Sequence, residues 1–212
     1  MIFAIVGPSG SGKTTLSDLM RKYGAEAVVS TTTRPPRSGE RDGVDYHFVT
    51  EESFLQKISQ GEFVEHARFG KNYYGATKSA FKQALEKSPK NCAVLVCEIN
   101  GFRSLKAAVS GMGQYLTGVF LSCSRDVIEK RLQNRHRAGG LTPEQFAERI
   151  SLIDGELSCE FEIAQEKSSI VITSPTMEEL EDYALVLVNS SSRLVVPPHP
   201  VSPDDEVGVP RL

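Results

Sequence analysis

Gly7-Pro-Ser9-Gly10-Ser11-Gly12-Lys13-Thr14 has the spacing GxxxxGK[ST], and Thr15 follows it. Glycines so placed let backbone N–H groups turn inward around phosphate oxygens, and a helix beginning there adds the positive end of its dipole. Lys13 would reach the terminal phosphates of a nucleoside triphosphate, and the Thr14 hydroxyl would bind Mg2+. A second group stands in Ser30-Thr-Thr-Thr-Arg34-Pro-Pro-Arg37-Ser-Gly-Glu40, with Arg41 next. Between Arg34 and Arg37 there is no carboxylate, although the chain carries a formal net charge of -3. Arginines in a polar loop are ordinarily solvated. The alternative is a fork-shaped clamp for an anion, which guanidinium groups suit better than flexible ammonium groups do.

These residues need a scaffold. The chain has 212 residues, 40% of them hydrophobic, which is enough for one sizeable core with a small inserted lobe. MIFAIVG reads as a buried parallel strand and not as a secretory leader. A helix near TLSDLMRKYG closes on Gly24. AEAVVST, NCAVLVCEI, YLTGVFLSC and SSIVITS read as four further strands with helical segments between several of them. Such alternation predicts α/β architecture, a parallel sheet core covered by helices on both faces. Residues 1–30 and 77–190 are assigned to this core.

Residues 31–76 break the rhythm. DYHFVT alternates like a half-buried strand. EESFLQKISQ reads as a short helix with Phe54, Leu55 and Ile58 on one side, and EFVEHARFG and KNYYGAT as two short strands. The segment is expected to form a small inserted lobe. In RDVIEKRLQNR, Arg131 and Arg135 share a helical face. HRAGG interrupts this helix, and TPEQ restarts it with Thr142 as N-cap, Pro143 in the first turn and Gln145 completing a capping box. Phe146, Ile150, Ile153 and Leu157 mark its buried stripe, with Arg149 beside them. A capped helix after a glycine pair suits a hinged lid, about 131–149, or an ordinary helical hairpin. A second capping box joins Thr176 to Glu179. Residues 191–212 hold five of the eleven prolines and read as a flexible tail.

Composition narrows the function classes. No apolar run approaches the ~20 residues of a membrane span. The mild negative charge gives no support to binding a nucleic-acid polymer. The four cysteines form no CxxC pair, which fits a reducing, cytoplasmic setting, and the four histidines have no metal-ligand spacing. No motif points to a protein partner.

The arginine loop, continued by Gly43, Asp45-Tyr46 and Phe48-Val49, closely resembles the signature of guanylate kinases. So do Glu62-Phe-Val-Glu65 and Tyr73-Tyr74-Gly75. With the phosphate loop, the resemblance runs from residue 3 to about residue 188. It implies that residues 31–76 form a monophosphate-binding lobe, with Arg34, Arg37, Tyr46 and Tyr74 on the phosphate of GMP or dGMP. Glu65 would read the N1–H and 2-amino donors of guanine, and Ser30 would help hold the base. Glu98, where the family usually has Asp, would contact the 2-amino group or a metal-bound water. Arg131, Arg135 and Arg149 resemble lid arginines that close over ATP, with Lys13, Arg37, Arg135 and Arg149 serving phosphoryl transfer. Gly7, Ser9, Gly10, Ser11, Gly12, Lys13, Thr14 and Thr15 would hold ATP, with Mg2+ on Thr14.

The sequence departs from the family pattern at Ala76, where Ser or Thr is common, at Val96, where many relatives carry Asp, and at Thr173-Ser174, where Asn-Asp is frequent. The expected activity is ATP-dependent phosphorylation of GMP or dGMP. Rival readings are a monophosphate kinase of altered base preference, and a peptide-binding guanylate-kinase-like domain. The intact phosphate-binding residues weigh against the second.

Overall fold

The computed structural model describes residues 1–37, 39–109 and 115–191. A parallel sheet is built from β1 (Ile2–Val6), β2 (Glu26–Ala27), β7 (Ala93–Val96), β8 (Leu116–Ser122) and β9 (Ser169–Thr173), in the order β2-β7-β1-β8-β9. β1 lies at its centre, between β7 and β8, and all five of its residues are buried. A strand covered on both faces must be apolar throughout, which is why IFAIV shows no alternation. Its side chains divide between two cores. Ile2, Ala4 and Val6 join Phe81, Leu95, Phe102, Leu105 and Phe120 on one face. Phe3 and Ile5 join Leu16, Met20, Leu121 and Leu187 on the other. Burying each of the larger side chains contributes about 1.5–3 kcal/mol.

Helices α1 (Lys13–Lys22) and α8 (Met177–Ser191) cover the second face; α3 (Lys78–Lys87) and α4 (Ile99–Val109) cover the first. The second sheet, β4 (His47–Phe48), β3 (Thr31–Thr32), β6 (Asn72–Thr77) and β5 (Phe63–Phe69), has the order β4-β3-β6-β5. α2 (Glu51–Ser59) belongs to the same stretch of chain and is capped by Thr50 accepting from the Ser53 N–H. Phe54 is fully buried and stacks on Phe63 and Tyr73. Leu55, expected on the same side, is exposed, because it lies about a quarter turn from Phe54 on a helix with a narrow buried face.

AEAVVST does not form one strand. β2 ends at Ala27 and pairs with β7, whereas β3 begins at Thr31 and pairs with β4 and β6. The chain crosses from one sheet to the other between them, and Ser30 lies at the crossing. DYHFVT likewise forms a paired strand only over His47–Phe48.

α5 (Arg125–Arg137) and α6 (Pro143–Ser158) pack through a third core containing Ile128, Leu132, Leu141 and Ile153. The break between them is held by His136, whose Nδ1 lies 2.8 Å from the Leu141 carbonyl and whose ring stacks on Phe146. The capping box at Thr142 and Gln145 is complete. The short α7 (Glu160–Ala164) leads back to β9. The Thr176–Glu179 pair caps α8 reciprocally. This helix runs on to Ser191, which is buried. Residues 192–212 of the expected tail lie outside the described residues.

Candidate active site

The carboxyl end of β1 opens onto a cleft of about 450 Å³. Gly7 forms its first turn at φ +143°, and a Cβ there would lie 2.4 Å from the Leu121 carbonyl of β8. Only glycine permits this close approach to the neighbouring strand. α1 then starts with Lys13 as its first residue. The Lys13 Nζ donates to the carbonyls of Gly7 (2.6 Å) and Pro8 (2.9 Å). Burial pushes the Lys13 ammonium down, while Glu98 and Glu156 oppose that effect. Ser9, Gly10, Gly12, Thr14 and Thr15 line the cleft beside it. Gly7 and Ser11 stand behind them, and the Ser11 Oγ is buried with no hydrogen-bond partner among the described residues.

The facing wall comes from the second sheet. Arg34 is buried and lies over the rings of Tyr46 and Phe48, at 5.4 and 5.8 Å. Its guanidinium donates to the Pro35 carbonyl (2.7 Å) and to Glu40 Oε1 (2.8 Å). The other Glu40 oxygen accepts the Arg37 backbone N–H at 2.7 Å. Although no carboxylate lies between Arg34 and Arg37 in sequence, the loop thus supplies a counter-charge of its own. The loop folds back, and Glu40 returns to its two arginines. Burial disfavours the Glu40 carboxylate, but Arg34 and the Arg37 N–H outweigh it and hold the carboxyl below its ordinary value. Arg37 lines the cleft, and so do Tyr46 and Tyr74, whose rings meet edge to face at 6.2 Å. Burial pushes the Tyr46 phenol up.

Glu65 sits deeper. Its strand β5 pairs antiparallel with β6, and the register shifts between Phe63 and Glu65. A bulge of this kind re-aims a side chain, and here the carboxylate reaches the cleft while remaining buried. Burial raises its pKa to about 7, against the opposing effect of the Ala76 N–H. α4 begins directly above it. A Cβ on Gly101 would lie 2.7 Å from Glu65 Oε2 and 3.2 Å from Cys97 Cβ, so the absence of a side chain at 101 makes room for the carboxylate. Ser30, Val96, Cys97 and Glu98 complete this end. Ala76 does not line the cleft. Its side chain is fully buried and belongs to the first core, although the register pairs Ala76 with Glu65 itself.

The two arms of the α5–α6 hairpin bring Arg135 and Arg149 into the same cleft. Arg135 is pushed down first by burial and then by the nearby charges of Arg149 and Arg37. Cations from the inserted sheet and from the hairpin thus converge. Arg149 hydrogen-bonds the Ser9 hydroxyl. Arg131 is not with them. Its guanidinium is turned to the outside of the phosphate loop, donating to the carbonyls of Gly10 (3.0 Å) and Ser11 (3.2 Å).

Motif reasoning missed Gly101, Cys97, Leu152 and Glu156, all of which line the cleft. Glu156 had one available signal, since it follows Arg149 by two helical turns and must share its face.

A parallel α/β sheet with a glycine-rich phosphate loop after its central strand, faced by a second sheet bearing paired arginines, defines a P-loop nucleotide-binding protein. The guanylate kinase family model matches residues 2–190, and the chain belongs to that family. A guanylate kinase of Alkalilimnicola ehrlichii is 36% identical over 159 residues, covering 74% of this chain and 74% of its own. One from Clostridium perfringens is 38% identical, covering 71% of this chain and 67% of its own. The crystal structure of guanylate kinase from Anaplasma phagocytophilum superposes with a TM-score of 0.58 at 23% identity, covering 92% and 86% of the two chains, and supports the fold.

Proposed function

We propose that the protein transfers the γ-phosphoryl group of ATP to GMP or dGMP, giving ADP and the corresponding diphosphate. The observation that carries this reading is the pairing of two walls on one cleft. Lys13 and the phosphate loop form one, and Arg34, Arg37, Tyr46, Tyr74 and Glu65 form the other, with Arg135 and Arg149 between them. In this reading residues 31–76 are the acceptor lobe, the hairpin around 131–149 is the lid, and the site acts in the cytoplasm, where the four free cysteines stay reduced.

The mechanism follows from charge and position. Phosphoryl transfer asks for alignment of attacking and leaving oxygens and for stabilisation of charge on the moving group. The attacking oxygen belongs to a monophosphate whose second pKa is near 6, so it is largely ionised at neutral pH. Arg34, oriented by Glu40, and Arg37 grip that phosphate, with the Tyr46 and Tyr74 hydroxyls donating to it. Glu65 accepts from N1–H and the 2-amino group of guanine, assisted by Ser30 and Glu98. Lys13 offers its ammonium to the donor phosphates, while Arg135 and Arg149 stabilise charge on the group in flight. Arg131 acts from outside the loop.

The Thr14 hydroxyl is exposed toward the cleft and Glu98 lies on it. These are hard oxygen donors, and among the described residues no cluster of His, Cys, Asp and Glu forms a cage for a metal ion. That donor set suits Mg2+ shared with phosphates, held by Thr14, with Glu98 reaching a metal-bound water. When bound, the ion would neutralise charge on the donor phosphates.

A turnover panel tests the reading: ribo- and deoxyribonucleoside monophosphates at fixed Mg-ATP. Adenine presents an unprotonated N1 to Glu65, two acceptors face to face, so AMP should be at least about a thousandfold poorer than GMP. Preference for a base without the N1–H and 2-amino pair would overturn the guanine assignment. No turnover of any acceptor would return the peptide-binding rival.

A further inference from the structure

A carboxylate beside a phosphate cradle is electrostatically out of place, yet Glu156 lines the cleft together with Lys13 and Arg149. Burial pushes its carboxyl up, and Glu98 adds to that; the Ser9 N–H, Lys13 and Arg149 pull the other way. A group that repels incoming phosphate and loses water must be held there by some other requirement. Its geometry supplies one. Glu156 Oε2 accepts the backbone N–H of Ser9 at 3.1 Å. Arg149, two turns earlier on the same face of α6, bonds the Ser9 hydroxyl. One helix face therefore holds Ser9 at both backbone and side chain. On the outside of the loop, Arg131 of α5 takes the carbonyls of the next two residues, Gly10 and Ser11. An N–H drawn to an anion and carbonyls drawn to a cation fix the sense in which a peptide run is turned.

We propose that Glu156 is a positioning residue for the phosphate loop: by accepting the Ser9 N–H opposite the Arg131 contacts, it sets the turn on which the downstream N–H groups depend, and it ties that turn to the helix carrying Arg149. The proposal rests on the reading that ATP occupies this loop. It assigns Glu156 no contact with either substrate.

The experiment compares the full chain with Glu156→Ala and Glu156→Gln. Binding is read by calorimetry with a non-hydrolysable ATP analogue and Mg2+, and turnover is read with both substrates varied. The alanine variant should bind the analogue about tenfold more weakly and show a similar rise in KM for ATP, the scale of one lost charge-assisted hydrogen bond. Its KM for GMP should stay within about twofold, since the acceptor wall is untouched. The glutamine oxygen can accept the same N–H, so that variant should recover to within about threefold of the parent. Glutamine as damaging as alanine would mean that charge, and not the bond to Ser9, is what matters, and would overturn the proposal. So would equal rises in both KM values, or no change in either variant. If the alanine chain does not fold, Glu156→Met, of similar volume, carries the same expectation. A parent chain that fails to bind the ATP analogue sinks the underlying reading instead, whatever the variants do.

Discussion

Glu65→Gln should make the protein more stable and less useful, and pH separates the two effects. Glu65 is buried under Gly101, and burial raises its pKa from 4.5 to about 7. A carboxyl whose folded pKa lies above its unfolded value binds more protons in the folded state between those two values. Its ionisation therefore removes stability as pH rises from about 4.5 to about 7, with no further change above. At ~1.4 kcal/mol per pH unit, the full loss is roughly 3 kcal/mol. Glutamine keeps the shape and can accept the Ala76 N–H, but it never ionises. Urea unfolding of both chains, without nucleotide, should show the glutamine variant gaining on the parent by up to roughly 3 kcal/mol between pH 4.5 and 8. Function runs the other way. On the proposed reading guanine is bound by the ionised carboxylate, so the parent's KM for GMP should rise as pH falls below about 7. In the variant that dependence should flatten around a much higher KM. A stability difference that stays constant from pH 4.5 to 8 would refute the argument, because it would mean that Glu65 is as well solvated in the fold as in the unfolded chain.

Lys13→Ala should lower turnover at least about a hundredfold. Because the hydrogen bonds of Lys13 among the described residues go to the Gly7 and Pro8 carbonyls, the variant's thermal unfolding should show a loss of no more than about 2 kcal/mol. Arg37→Met should cost at least about 2 kcal/mol in kcat/KM for GMP. Arg41→Met should cost far less, since Arg41 is exposed and lies off the cleft; equal effects would reduce the loop to general electrostatics. Gly101→Ala should displace the Glu65 carboxylate, raising KM for GMP at least about tenfold while KM for ATP stays put; an unchanged KM for GMP would show that the helix start yields instead.

What could be read from the sequence was whatever is local. The phosphate loop is a run of consecutive residues whose spacing itself expresses the geometry, and the capping boxes at Thr142 and Thr176 are complete within four residues. The central strands declared themselves by unbroken apolar character. AEAVVST misled because a strand that leaves one sheet for another keeps the same apolar composition, and only pairing partners reveal the switch. Ala76 could not be placed by motif alignment, because its burial depends on the core that packs over it and not on its neighbours in sequence. Gly101 carries no chemistry of its own; its importance is the space above Glu65, which exists only after α4 has docked on β5.

Glu40 marks the deeper limit. A reading that counts only neighbouring charges sees Arg34 and Arg37 waiting for a substrate anion. The folded loop supplies Glu40 first, with one oxygen on the Arg34 guanidinium and the other on the Arg37 N–H. Unpaired, a buried guanidinium would cost desolvation energy and would be free to turn its fork away. Paired on one edge and seated over Tyr46 and Phe48, Arg34 keeps its orientation and loses less freedom when a phosphate engages it. Arg37 uses only its backbone N–H on Glu40, so its guanidinium is left to the cleft it lines. The two arginines are therefore unequal. Arg34 is a fixed wall, and Arg37 is the arginine whose guanidinium shares the cleft with Arg135 and Arg149. Burial, and after it the charges of Arg149 and Arg37, push the Arg135 guanidinium down. On the proposed reading, a phosphoryl group passing between them would offset both the lost water and the repulsion, so the cleft would favour charge in motion over charge at rest.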